Sequence, residues 1–142
     1  MIKFIIICFF LMLNSCSSLK KEGVDCPKVI TPKIAAETLV KSENNSSVYI
    51  GFRGVQTLCI KGNDNIEMEM SVNVRAIRKE TKSEDYVPVN ISVVSTDMNN
   101  KQYDRDDFKY SQFLLKGSKV VDRVTMFEIK IPKSGQVYLG IR

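Results

Sequence analysis

The chain has 142 residues, enough for one domain with a real core. Hydrophobic residues make up 44% and charged residues 26%, a balance that excludes collagen-like, coiled-coil and largely disordered chains. The formal net charge is +5, and His and Trp are both absent.

Lys3 is the only charge before Lys20, and "FIIICFFLML" (Phe4 to Leu13) is apolar throughout. Ten apolar residues are about half the twenty that a spanning helix needs. A positive residue, a short apolar core and small residues at its end describe a secretory signal peptide over residues 1–15. "LNSC" then places Leu13 three positions before Cys16, with small Ser15 just before it. This resembles the bacterial lipobox, which implies a diacylglyceryl group on the Cys16 thiol and cleavage that makes Cys16 the first mature residue. Two or more acyl chains hold a protein firmly in a bilayer, at about 0.8 kcal/mol per buried methylene. Ser17, where no Asp stands, resembles the default for the outer membrane facing the periplasm. Residues 16–25 are expected to be the lipidated Cys and a polar tether. "SSLKKEGVD" reaches at most about 30 Å, with Lys20 and Lys21 close to the headgroups.

Four cysteines remain to be assigned. Cys8 leaves with the signal peptide and Cys16 takes the lipid. An exported chain with two cysteines left over is a candidate for one disulfide, Cys26–Cys59. Zinc does not fit, because two thiolates without a histidine fall short of four ligands. A catalytic thiol would lack its paired base.

Residues 26–142 read as one all-β domain. Ten-residue "PKIAAETLVK" (Pro32 to Lys41) is ambiguous between helix and strand, and is taken as a first edge strand. After the loop "KSENNSS" come "SVYIGF" (Ser47 to Phe52) and "VQTLCI" (Val55 to Ile60), read as two strands, then the turn "KGNDN". "IEMEMSVNVRAIR" (Ile66 to Arg78) alternates strictly, with Ile66, Met68, Met70, Val72, Val74 and Ala76 on one face. Beyond "KETKSED", "YVPVNISVV" puts Val87, Val89, Ile91 and Val93 on one face. Pro88 belongs at an edge, a strand start or a bulge. "DMNNKQYDRDD" (Asp97 to Asp107) reads as a long polar connection, and "FKYSQFLL" (Phe108 to Leu115) as a strand. "RVTMFEIKI" aligns Phe127, Ile129 and Ile131, while Val124 and Met126 fall out of phase, which predicts a bulge near Met126. "QVYLGI" (Gln136 to Ile141) closes the chain. About seven short strands separated by turn chemistry predict an antiparallel sandwich or barrel.

Little here carries chemistry. Asp104, Asp106 and Asp107, with Asp97 and Asn99 upstream, offer oxygens to calcium. The spacing is not that of an EF-hand, Lys101 stands where a fifth-position ligand would, and Arg105 offsets the charge, so a solvated loop is expected. Glu67 and Glu69 share a strand face as paired carboxylates, but alternate with core residues as on any wet sheet face. There is no phosphate loop and no nucleophile–base motif. Without the first fifteen residues, twenty basic residues face sixteen acidic ones, scattered with no patch for nucleic acid.

The lipobox, the linker, Cys26-Pro27, the second cysteine Cys59, "VNVRAIRK" and "YVPVNISVVSTD" together resemble a family of small alphaproteobacterial lipoproteins of uncharacterised function. The resemblance covers Cys16 to Ile131. It implies an immunoglobulin-like or fibronectin-like β-sandwich and no activity. The expected protein is a non-enzymatic binding or structural module, anchored through its N-terminal lipid, that meets another envelope protein. It needs no cofactor, metal or small-molecule substrate. The alternative is an accessory lipoprotein of an envelope secretion or assembly complex. Sheet edges and the stretch from Asp97 to Asp107 are where such a partner is sought.

Overall fold

The computed structural model describes residues 21–142, so the signal stretch 1–15 and the lipidation candidate Cys16 lie outside the described residues. Strict alternation becomes strand wherever it was read. The strands are β1 (Val29–Ile30), β2 (Glu37–Lys41), β3 (Ser47–Lys61), β4 (Asn65–Arg78), β5 (Asp85–Thr96), β6 (Gln102–Leu114), β7 (Val120–Pro132) and β8 (Gln136–Ile141). They form two four-stranded sheets, β2-β3-β4-β7 and β1-β8-β5-β6, packed as a β-sandwich. All pairs are antiparallel except β1 with β8.

The core is the sum of the inward faces. Met68, Met70 and Val72 of β4 meet Val87, Val89, Ile91 and Val93 of β5, with Phe127, Ile129 and Ile131 of β7 and Val137 and Leu139 of β8, all at most 2% exposed. Each such side chain contributes about 1.5–3 kcal/mol by leaving water. Pro88 sits where β5 has only β6 beside it. β8 pairs with Ile91 to Thr96 alone, so the missing N–H breaks no bond to β8.

Five sequence expectations are corrected. Pro32 to Lys41 is not one strand. The Ala35 N–H bonds the Pro32 carbonyl at 2.9 Å, making a single helical turn α1 (Lys33–Ala36) before β2 begins. That turn packs on β8 at Gly140, where a side chain would press on Ala35 at 3.1 Å. The two strands Ser47 to Phe52 and Val55 to Ile60 are one strand, β3, with a bulge between Phe52 and Gly54. The extra residue restores the inward phase, so Val48 and Ile50 before it and Cys59 after it all face the core. No bulge occurs near Met126, because β4 and β7 pair without interruption from Asn65–Pro132 to Ile77–Val120. Thr125 holds the inward position instead, 4% exposed, and donates to the Val72 carbonyl at 3.4 Å, while Val124 and Met126 face outward. The long connection after Asp97 shrinks to Asp97–Lys101, since β6 already starts at Gln102. Asp97 Oδ1 closes that turn by accepting the Asn99 and Lys101 N–H groups, and Asn100 takes a φ of 59°. Finally, the chain is docked before residue 26. The Lys61 N–H bonds the Glu22 carbonyl at 2.9 Å, the Val24 N–H bonds the Cys59 carbonyl at 3.1 Å, and Gly23 bridges Ile60.

The expected disulfide is present. Cys26 and Cys59 are bonded, with Cα atoms 5.3 Å apart, and Cys59 is 2% exposed. Closing a loop of this size stabilises the fold by about 4 kcal/mol in the chain-entropy model.

One end of the sandwich gathers the β2–β3, β4–β5 and β6–β7 connections, and an arginine fills it. Arg78 continues the inward face of β4 and is 3% exposed. Its Nε donates to the Ser118 carbonyl at 3.0 Å and its Nη1 to the Ser83 carbonyl at 3.0 Å. Its Nη2 reaches the Leu114 and Leu115 carbonyls at 3.3 and 2.7 Å. Asp85, 4% exposed, supplies the facing negative charge. Burial pushes its carboxyl up, but bonds from the Ser42 side chain and the Tyr86 and Asn44 N–H groups, with Arg78, hold it below the usual value. Arg78→Met strands four carbonyls together and is expected to cost about 3 kcal/mol, read as a lowered urea midpoint. A depressed folded pKa contributes stability that is present above the ordinary carboxylate value and lost as pH falls through the folded one. Stability is therefore expected to drop as pH falls below about 4, and Asp85→Asn to flatten that drop in urea titrations across pH.

Candidate functional site

A strand at the margin of a sheet turns every second N–H and C=O outward, and these groups either find partners or invite a new strand. The two flanks of this sandwich differ in that respect.

The β6–β7 flank is guarded. Asp104 and Asp106 alternate along β6 and reach across to the other sheet. The Lys130 N–H donates to Asp104 Oδ2 at 2.8 Å and the Glu128 N–H to Asp106 Oδ2 at 3.1 Å. Pro132, next in the same phase, has no N–H to offer. Further along, the Arg123 guanidinium lies 4.2 Å from the Tyr110 ring centre and 5.9 Å from that of Phe108. Phe108 meets Phe127 edge-on at 6.4 Å. Asp107 takes a different role on the outer face of β6. It pairs with Arg105 at 2.6 Å and accepts from the Ser92 hydroxyl at 2.5 Å. Arg105 and then Ser92 hold its carboxyl down at about 2. The cluster read in sequence as a possible calcium loop is thus divided: two aspartates cap a foreign strand edge and the third is bound to an arginine. Among the described residues, no group of three or more His, Cys, Asp or Glu side chains converges as a metal site.

Glu67 and Glu69 do share the outer face of β4. Glu67 stands between Ile60 and Lys130, and Glu69 between Leu58 and Glu128. They border an open depression of about 350 Å³ that also touches Lys21 and Asp104. The Glu69–Glu128 juxtaposition is a like-charge pair, which opposes sheet formation modestly.

Among the described residues, nothing covers the middle of the β3 flank. β2 covers β3 only as far as Gly51, opposite Glu37, and the Glu22–Val24 segment covers only Cys59 to Lys61. Between these covers, Arg53 to Leu58 are exposed at six successive positions. Cys59 and Lys61 turn their backbone groups to this margin, so by the two-residue repeat Val55 and Thr57 do the same. The side chains of Val55 and Thr57 point between the sheets yet stay exposed, although their β4 neighbours Val72 and Met70 are fully buried. A Cβ at Gly54 would meet nothing within 4 Å. On the outer face beside this margin lies a depression of about 320 Å³ lined by Gly54, Val55, Gln56, Ser71, Asn73 and Val124. Asn73 Oδ1 is buried there without a partner. Leu58, Val124 and Met126 stand around it at 58–62% exposure. Sequence reasoning placed "VQTLCI" on a strand but could not see that its margin is bare, since this depends on where residues 22–24 and 37 stop.

Of the residues singled out in the sequence, Cys26 and Cys59 are brought together, and Cys16 lies outside the described residues. No protein-family model matches the chain, and no curated protein or solved structure matches it either.

The double variant Asp104→Ala, Asp106→Ala is expected to expose the β7 edge. Amide exchange at Glu128 and Lys130 should speed up by at least about tenfold, whereas the Asn variants, which keep an acceptor oxygen, should exchange nearly as the parent does.

Proposed function

We propose that this chain is a lipid-anchored, non-enzymatic binding module of the bacterial envelope, held through Cys16 and facing the periplasm from the outer membrane. It has the layout of the uncharacterised alphaproteobacterial lipoproteins it resembles. The observation that carries this reading is the way the N-terminus joins the fold. Six residues after Cys16 the backbone of Glu22 is already bonded to β3, and Cys26 is locked to Cys59. A disulfide in a single small domain is the mark of an oxidising compartment.

An anchor works only if pull on the lipid is carried into the core rather than peeling the first strand away. Here the pull passes through two backbone bonds and then a covalent bridge. The free tether is shorter than the sequence implies, about 20 Å from Cys16 to Glu22. Under this reading the end of the sandwich bearing the β3–β4, β5–β6 and β7–β8 turns lies towards the bilayer. Lys21, Lys61, Lys101 and Lys133 are near that end, where each contributes roughly 1 kcal/mol if it meets anionic headgroups. The flanks of the sandwich stand clear of the membrane and are free for a partner.

Intact-mass analysis of the protein purified from its own envelope tests this. The expected species begins at Cys16, carries acyl groups, and is lighter by two hydrogens than its reduced form. Cys16→Ala should abolish both the acylation and the cleavage, leaving an unlipidated chain whose mass includes residues 1–15. A parent chain that retains Met1 and bears no lipid overturns the proposal.

A further inference from the structure

We propose that the bare margin of β3, Arg53 to Leu58, is a strand-acceptor site that takes a short extended segment of another polypeptide into the β2-β3-β4-β7 sheet. This names the partner class for the binding module proposed above, and rests on that reading.

Three observations select the occupant. The first is hydrogen bonding. Val55 and Thr57 present N–H and C=O groups that no described residue meets, and only an extended backbone satisfies both kinds at the strand repeat. The second is length. The lane beside β3 is already filled by β2 at one end and by Glu22–Val24 at the other. The open stretch is six residues, roughly 20 Å. A second copy does not fit that lane through its own β3, which runs for 15 residues and would collide with both covers. The occupant is therefore a linear segment whose ends turn away, such as a terminus or a protruding loop.

The third observation is side-chain chemistry. Residues of the added strand that point inward would lie over exposed Val55 and Thr57, in the gap between the sheets, and apolar groups gain most there. Those pointing outward would run beside Gly54, Gln56 and Leu58, next to the depression that holds the unpartnered Asn73 Oδ1. Alternate apolar positions inward and hydrogen-bonding positions outward thus define the preferred segment. The margin also lacks the guards seen elsewhere. The β7 edge has two carboxylate caps and a proline, and β6 carries Arg105, Asp107 and Lys109, whereas "RGVQTL" has one charge and no proline.

The test uses the full chain in detergent and a random peptide library displayed on phage. Selected peptides are expected to alternate apolar and polar residues and to slow amide exchange at Val55 and Thr57 by at least about tenfold. Val55→Pro removes one edge N–H that β4 does not use, so its melting temperature should stay close to the parent's while peptide affinity falls at least about tenfold. Val55→Lys keeps the N–H but puts a charge in the opening, and should weaken binding equally; it decides the matter if the proline variant fails to fold. The proposal is overturned if no peptide is selected, if protection appears elsewhere, or if both variants bind as the parent does. It is also overturned if Val55 and Thr57 are already protected in the free chain, which would mean that its own N-terminal residues or a second copy cover the edge. None of these results touches the mass of the mature protein, so the anchor proposal stands or falls separately.

Discussion

Every margin of a β-sheet leaves backbone donors and acceptors facing outward, and the way this sandwich meets that demand organises the rest of the molecule. On one flank, carboxylates from β6 cross to the other sheet and accept the β7 N–H groups of Glu128 and Lys130. On the other flank the chain uses its own backbone. The first described residues pair with one end of β3, and β2 pairs with the other. The six residues between are left over, since neither cover is long enough to meet the other. Edge protection by inward-reaching charges is a common device against aggregation. It is used on one flank, and among the described residues it is absent from the bare stretch of β3 on the other.

The covers themselves depend on bonds that run between the layers. Cys26–Cys59 fixes the N-terminal segment to the inner face of β3, so the two backbone bonds at Glu22 and Val24 are held in register by a covalent tie. At the far end, Arg78 binds carbonyls of both the β4–β5 and the β6–β7 connections. Each of these connections crosses from one sheet to the other, so one guanidinium fixes two crossings at once. Its planar fork suits that task in a way that a lysine ammonium would not. Nearer the N-terminal segment, the Ser95 hydroxyl, fully buried, donates to the Lys130 carbonyl at 2.6 Å and joins β5 to β7. Polar bonds thus close the sandwich at both ends and leave the middle to apolar packing.

The outer face of the β2-β3-β4-β7 sheet bears on function because it adjoins the bare margin. Its rows are unlike one another. Arg75 is paired with Asp122 at 2.6 Å in one row, the next two set small and amide side chains of β3 and β4 beside exposed Val124 and Met126 of β7, and glutamates follow. A strand added at β3 would extend this mixed surface, and its outward residues would lie beside Gly54, Gln56 and Leu58.

The local repeat of two residues was enough to read the fold class from the chain. Strict alternation in Ile66 to Arg78 and in Val87 to Val93 has one physical outlet, a strand with one buried face, and several such strands must pair their faces as a sandwich or barrel. The cysteine pair was legible from the expectation of export, under which two thiols left over have few uses besides each other. Other features depend on distant residues, and only the tertiary structure decided them. The β3 bulge exists because β4 opposite keeps its phase while β3 has one residue to spare. Met126 looked like an irregularity because Thr125 is polar, and the Val72 carbonyl that satisfies it is far away in sequence. Asp104 and Asp106 read as loop acids until β7 supplied the N–H groups they cap. Arg78 read as the end of a strand, and its four carbonyls come from the β4–β5 connection, the last residue of β6 and the β6–β7 connection. The bare edge from Arg53 to Leu58 is the same kind of fact. Its residues specify a strand, while its lack of a neighbour is set by where two remote segments of the chain stop.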